Sequence, residues 1–191
     1  MPETKNDLPI KLFANAAEWR QWLEVHSDAP GVWLRTYKKG RGISVTYAEA
    51  LDEALCFGWI DSQGAAYDDD SSLRKFTPRR KGSLWSKRNI EHIERLTKEG
   101  RMQEKGLVEV EAAKADGRWQ KAYDSQTNMT IPPDFLTELA KRPVAQDFFN
   151  TLNKTNLYTV AWRLQTAKTE ATRQKRMAAI LEKLEKREKF H

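Results

Sequence analysis

At 191 residues, with 39% hydrophobic and 31% charged residues, the chain can build one good core and a small second lobe, since single domains cluster at roughly 100 to 150 residues. Seven Trp, seven Phe and five Tyr supply buriable surface that disordered chains lack. A net charge of +6 favours anionic partners, a single cysteine excludes an internal disulfide, and no apolar run approaches the roughly 18 residues of a membrane span. Met1 to Asp7 carries no apolar run of a signal peptide, so the sequence reads as cytoplasmic.

Residues 1 to 9 read as a loose arm. Asn15-Ala16-Ala17-Glu18 has the spacing of a capping box and predicts a helix with Trp19, Trp22 and Leu23 on one face, ended by Ala29-Pro30-Gly31. Val32 to Tyr37 alternates as a strand, with Val32, Leu34 and Thr36 on one side and Trp33, Arg35 and Tyr37 on the other. Lys38-Lys39-Gly40-Arg41-Gly42 lacks the spacing of a phosphate-binding loop and reads as a solvated basic turn. Thr46-Tyr47-Ala48-Glu49 is a second capping box, opening a helix that turns Ala50, Leu51, Ala54 and Leu55 inward and stops at Gly58. Trp59 to Tyr67 and Ser72 to Thr77 then flank Asp68-Asp69-Asp70-Ser71, which predicts a β-hairpin with an acidic tip. The aspartates lack the spacing of an EF-hand loop, so the tip reads as solvated.

Ser86 can cap a helix carrying Ile90, Ile93 and Leu96, and Leu107 to Ala115 forms another. The polar run Asp124 to Thr130 marks a boundary between an α+β domain over 10–124 and a helical subdomain over 131–189. In that second part, Pro132-Pro133 and Pro143 suit helix starts. Its apolar faces are Phe135, Leu136 and Leu139; Phe148, Phe149 and Leu152; Leu157, Val160, Ala161 and Leu164; and Met177, Ile180, Leu181 and Leu184, with a tail that frays after Arg187. This order predicts an α+β fold, mostly helical, with a small antiparallel sheet of about three strands packed against helices and a C-terminal helical lobe.

Function is expected where Leu55 to Asp61 and Phe76 to Asn89 fold back on each other, gathering Trp59, Asp61, Arg79, Arg80, Trp85, Ser86 and Asn89 at one cleft. Seven cations fall in the fifteen residues from Arg74 to Arg88 without one acid, interleaved with Phe76 and Trp85. Guanidinium forks match phosphate oxygens, and aromatics stack on rings, so the expected partner is a small anionic ligand. The bland reading of the same residues is a solvated loop whose aromatics anchor the core. A nucleic acid is the alternative partner, held by the basic loop 74–88 and by the C-terminal helix, which has nine Lys or Arg between Arg163 and Lys189 against four Glu. Asp61 reads as the partner of Arg79 or Arg80, and Cys56 as a buried inert thiol. His26, His92 and His191 are scattered, so no metal, cofactor or catalytic set is expected.

Trp33, Lys38-Lys39, Tyr47, the run Ala54 to Asp61, Phe76-Thr77-Pro78-Arg79, Ser83-Leu84-Trp85-Ser86, Asn89, Gly100-Arg101-Met102, Gly117-Arg118-Trp119 and Ala167 to Arg173 together resemble the bacterial YdeI or OmpD-associated family, also described as bacteriocin-protection proteins. The resemblance runs from about Phe13 to Leu184. It implies a bacterial protein linked to tolerance of antimicrobial peptides or bacteriocins, with no established reaction.

Overall fold

The computed structural model describes residues 3–125 and 128–191. Gln126 and Thr127, inside the polar boundary stretch, and Met1 and Pro2 of the N-terminal arm lie outside the described residues. Along the described chain the order is β1 (Thr4–Lys5), β2 (Leu8–Leu12), α1 (Ala16–Val25), β3 (Val32–Tyr37), α2 (Tyr47–Cys56), β4 (Trp59–Ala66), β5 (Ser71–Pro78), α3 (Lys87–Lys98), α4 (Glu104–Ala115), α5 (Pro133–Ala140), α6 (Pro143–Phe149), α7 (Lys154–Gln165) and α8 (Glu170–Glu185).

The α+β class holds, but the sheet is not a three-stranded antiparallel one. It has five strands in the order β1-β2-β3-β5-β4, and β2 runs parallel to β3 while the other pairings are antiparallel. The two extra strands begin within residues 1 to 9, the segment that reads as a loose arm, and β2 runs on to Leu12. Asn6 and Asp7 sit at φ 50° and 60°, the paired left-handed conformation of a tight hairpin turn, which their short polar side chains tolerate. Pro9 demotes Leu8–Leu12 when the run is read alone, yet it stands near the start of β2, opposite Thr4 of the two-residue edge strand. The parallel β2 and β3 need a crossover, and α1 supplies it.

Local capping follows the sequence closely. Asn15 accepts the Glu18 amide at 3.0 Å, while the Glu18 carboxylate reaches one residue further back than a capping box requires, to the Ala14 amide at 2.8 Å. The Thr46 and Glu49 box is complete, with Thr46 N donating to Glu49 Oε2 at 2.9 Å. Gly58, at φ 75°, takes the left-handed position just past α2.

Contacts divide the chain into two units: Met1–Ser83 with Asn89–Gln120, and Leu84–Arg88 with Lys121–His191. In the first, one face of the sheet lies under α1 and α2. Trp19 of α1 meets Phe76 at 5.7 Å and Trp59 edge-on at 6.4 Å, and its indole donates to the Ala50 carbonyl of α2 at 3.0 Å. The opposite face carries a smaller cluster of Leu8, Trp33 and Leu73, with Ile10, Ala65 and Tyr67 against it. There the buried Trp33 indole donates to Lys5 O at 2.9 Å, which pins the N-terminal hairpin to β3. The acidic tip and the basic glycine loop, each reading as solvated, hold one another. Lys38 Nζ donates to Asp69 O at 2.7 Å, Arg41 lies 3.6 Å from Asp70, and Arg35 pairs with Asp68 at 2.7 Å.

The second unit has its own core of Phe135, Leu139, Ala145, Leu152, Val160, Leu164, Met177, Ile180, Leu181 and Leu184. Leu136 departs from the expected stripe and is 44% exposed. The segment after Arg187 turns back rather than fraying. Arg187 adopts φ 55°, its amide and that of Glu188 close the helix onto Leu184 O and Lys183 O, and Phe190 N then donates to Asn156 Oδ1 at 2.8 Å.

Trp33→Phe keeps the ring but leaves the Lys5 carbonyl without its donor. It is expected to lower stability by about 1 to 2 kcal/mol, read from the urea midpoint, and to speed amide exchange selectively in Thr4–Leu12.

Candidate functional site

The site is organised by the chain reversal at Gly58. Strand β4 begins at Trp59, opposite Pro78 at the end of β5, and the Arg79 amide donates to the Gly58 carbonyl at 2.9 Å. This places Trp59 and Arg79 side by side in chain terms that the sequence leaves twenty residues apart. Helix α4 is seated on the same turn. The Cys56 carbonyl accepts the Gln103 amide at 3.0 Å, and a Cβ on Gly106 would stand 2.2 Å from that carbonyl oxygen. Only glycine permits so close an approach of helix to backbone.

A cavity of about 470 Å³ opens between these parts. Phe57, Gly58, Trp59, Pro78 and Arg79 form one wall, and Glu104, Lys105, Val108 and Glu109 of α4 form the other. Ser27 and Asp28, just past α1, complete the rim, tied to Lys105 Nζ at 2.8 and 2.7 Å. Trp59 is fully buried and its indole N–H meets no acceptor among the described residues. A buried donor of that kind costs stability unless something satisfies it. Arg79 is 7% exposed, so its guanidinium is drawn into the protein rather than splayed into water.

The seven expected site residues are thus distributed unevenly. Trp59 and Arg79 line the cavity. Asp61 accepts from the Tyr47 hydroxyl at 2.9 Å and faces Arg74 at 3.8 Å, with the Arg74 guanidinium 5.0 Å above the Tyr47 ring, so its charge is answered by Arg74. Arg80 is exposed and outside the lining, and Asn89 lies half-buried on α3. Trp85 and Ser86 are buried and belong to the second unit, where the Tyr123 amide donates to Trp85 O at 3.0 Å. The α4 lining was missed entirely. Its one sequence signal is Gly106, an isolated glycine inside a helical pattern, which announces a close backbone approach.

Beside the cavity runs a chain of ion pairs. Glu53, 5% exposed, is gripped by Arg20 at 2.8 Å and Arg101 at 2.6 Å. Arg101 continues to Glu99 at 3.0 Å, Glu99 to Arg95 at 3.1 Å, and Arg95 to Asp52, which also receives His92 Nδ1 at 2.7 Å. Burial works to raise the Asp52 carboxyl, but hydrogen bonds from Arg95 and His92 outweigh it and hold the group below the usual carboxylate range. Burial, aided by the Glu53 charge, pushes the Cys56 thiol up to about 11. Cys56 therefore stays a neutral thiol at pH 7.

Fold and cavity together define an α+β protein with a pocket at a strand-turn junction and a separate helical unit. Residues 11–109 match the family model described as a domain of unknown function (DUF8412), and the chain belongs to that family. Residues 128–187 match the model described as bacteriocin-protection, YdeI or OmpD-associated. The Phe57 to Asp61 run and the Ser83 to Asn89 run fall within the first match, and the threonine-rich start of α8 within the second. Comparison with curated proteins and with solved structures finds no match. Among the described residues, no helix is long and apolar enough to cross a membrane.

Two measurements probe this geometry. Gly106→Ala at an open helix position would gain about 1 kcal/mol from propensity; here the clash with the Cys56 carbonyl is expected to reverse the sign, with a net loss of about 1 to 3 kcal/mol in urea unfolding. For Asp52, whose folded pKa is lowered, the linked stability is fully present above the unfolded value near 3.8 and is lost as pH falls through the lower folded value. Asp52→Asn should therefore cost about 1 to 2 kcal/mol at pH 7, and the gap to the unmodified protein should close as pH drops from about 5 towards 2.

Proposed function

We propose that the first unit is a non-enzymatic binding module that takes a small anionic ligand in the cavity beside Gly58. The carrying observation is the buried Trp59 indole N–H, which has no acceptor among the described residues and belongs to the wall of that cavity. A carboxylate or phosphate oxygen supplies the acceptor it lacks, and the adjacent Arg79 supplies the opposite charge. Glu104 and Glu109 on the facing wall bias the site towards a ligand with a hydrogen-bond donor or cation at its other end and reject bulk polyanions.

The cellular output we propose is tolerance of bacteriocins or antimicrobial peptides, in line with the description of the domain at residues 128–187. Direct capture of cationic peptides by a chain of net charge +6 is disfavoured by repulsion, so the ligand is taken to act as a signal within a cytoplasmic protein. The nucleic-acid reading is the weaker one. Among the seven loop cations, Arg79 is buried, Arg74 faces Asp61 and Lys87 is paired with Asp124 at 2.6 Å, which leaves the half-buried Lys75 and the exposed Arg80, Lys81 and Arg88 as the loop's support for it.

Thermal unfolding of the full chain against a panel of organic carboxylates and phosphorylated metabolites tests the binding module. At least one compound is expected to raise Tm by several degrees, and Trp59→Phe is expected to weaken that compound about tenfold, the equivalent of one lost buried hydrogen bond of ~1.4 kcal/mol. No shift with any compound, or a shift undiminished in both Trp59→Phe and Arg79→Lys, overturns the reading.

A further inference from the structure

The second unit holds a cavity of its own, about 660 Å³, within the usual size of small-molecule sites. Its chemistry differs from that of the Gly58 cavity. Arg163 and Arg176 line it with no Asp or Glu side chain among the lining residues, together with the Tyr158 and Thr159 hydroxyls. Trp162 also lines it and is 37% exposed, whereas Trp19, Trp33, Trp59 and Trp85 are no more than 2% exposed. An indole left open beside two guanidinium groups is a stacking platform next to an anion clamp.

The parts are held in place rather than adrift. Tyr123 meets the Trp162 ring edge-on at 6.3 Å and 88°. Arg176 Nη1 donates to Arg163 O at 2.8 Å and to Thr166 Oγ1 at 3.2 Å, which fixes the guanidinium against α7. The remaining wall is the segment after α8. Asn156, 1% exposed, accepts the Phe190 and His191 amides at 2.8 and 3.3 Å, and His191 Nε2 lies 3.0 Å from Thr159 Oγ1. Burying an amide side chain to anchor that segment makes the cavity a built feature of the unit.

We propose that this cavity binds a nucleoside phosphate, with the base stacked on Trp162 and the phosphate held by Arg163 and Arg176. Neither component alone accounts for the lining: inorganic phosphate has no use for the open indole, and an uncharged ring has none for two arginines set together. The same chemistry is offered by a free nucleotide and by one unit of a single strand. The site shares no lining residue with the Gly58 cavity or with the loop 74–88.

Isothermal titration of the full chain with adenosine monophosphate, adenosine, inorganic phosphate and a short single-stranded oligonucleotide tests the proposal. Saturable binding of the monophosphate is expected, about tenfold or more tighter than of adenosine or phosphate alone. Trp162→Leu should weaken it about tenfold and Arg163→Gln about fivefold, with Trp59→Phe in the other unit leaving it unchanged. If Trp162→Leu does not fold, Arg163→Gln decides. An oligonucleotide that binds more tightly than the monophosphate and is sensitive to the same variants identifies a strand as the source; a monophosphate that binds as well or better identifies the free nucleotide. Absence of binding by both, or binding that survives these variants or is lost in Trp59→Phe, overturns the proposal.

Discussion

One hydrogen bond, from the Arg79 amide to the Gly58 carbonyl, joins the three pieces on which the first unit rests: the end of α2, the start of β4 and the exit of β5. It exists because Gly58 can take φ 75°, where a side chain would be strained and would also press on the Lys105 carbonyl at 3.0 Å. The next helix uses the same opening. With no Cβ at Gly106, α4 settles directly on the Cys56 carbonyl, and the space left beside that contact is the cavity. Two glycines, far apart in the chain, thus set both the approach of α4 and the shape of the site.

The charges near this junction are arranged around burial. Glu53 is nearly inaccessible and lies between two arginines, so its desolvation cost is offset only because both partners are close and oriented. From there the network extends through Glu99 and Arg95 to Asp52 and His92, linking α1, α2 and α3. Isolated exposed pairs of this type contribute little, whereas a connected set anchored on a buried carboxylate resists partial opening, since breaking one pair strands a charge elsewhere. The fully buried Cys56 sits beside this network as a packed thiol rather than a nucleophile.

Much of the local structure was legible in the residues. The caps at Asn15 and Thr46, the stop at Gly58, the proline starts of α5 and α6 and the apolar stripe of α8 all depend on neighbours within four residues, and the structure shows each of them. The sheet was only partly legible. Its three longest strands, β3, β4 and β5, alternate clearly, but β1 and β2 are too short to do so, and their reality depends on pairing and on the Trp33 indole reaching Lys5 O across the sheet. The site was less legible still. Trp59 and Arg79 stood out as chemistry-bearing residues, while Glu104, Lys105 and Glu109 look like ordinary positions on an exposed helix face until Gly106 brings that helix against the turn.

By itself the sequence determined the α+β class, the positions of most helices and the concentration of cations before α3, because these follow from periodicity, capping and charge count. Tertiary structure alone decided that the sheet is mixed, that Asp61 answers Arg74, that the acidic tip closes on the basic loop, and that Arg79 turns inward. The division has a physical cause. Helix caps and stripes are satisfied within one or two turns of chain, whereas strand partners, ion pairs and cavities depend on which distant backbone approaches, and that is set by packing between elements.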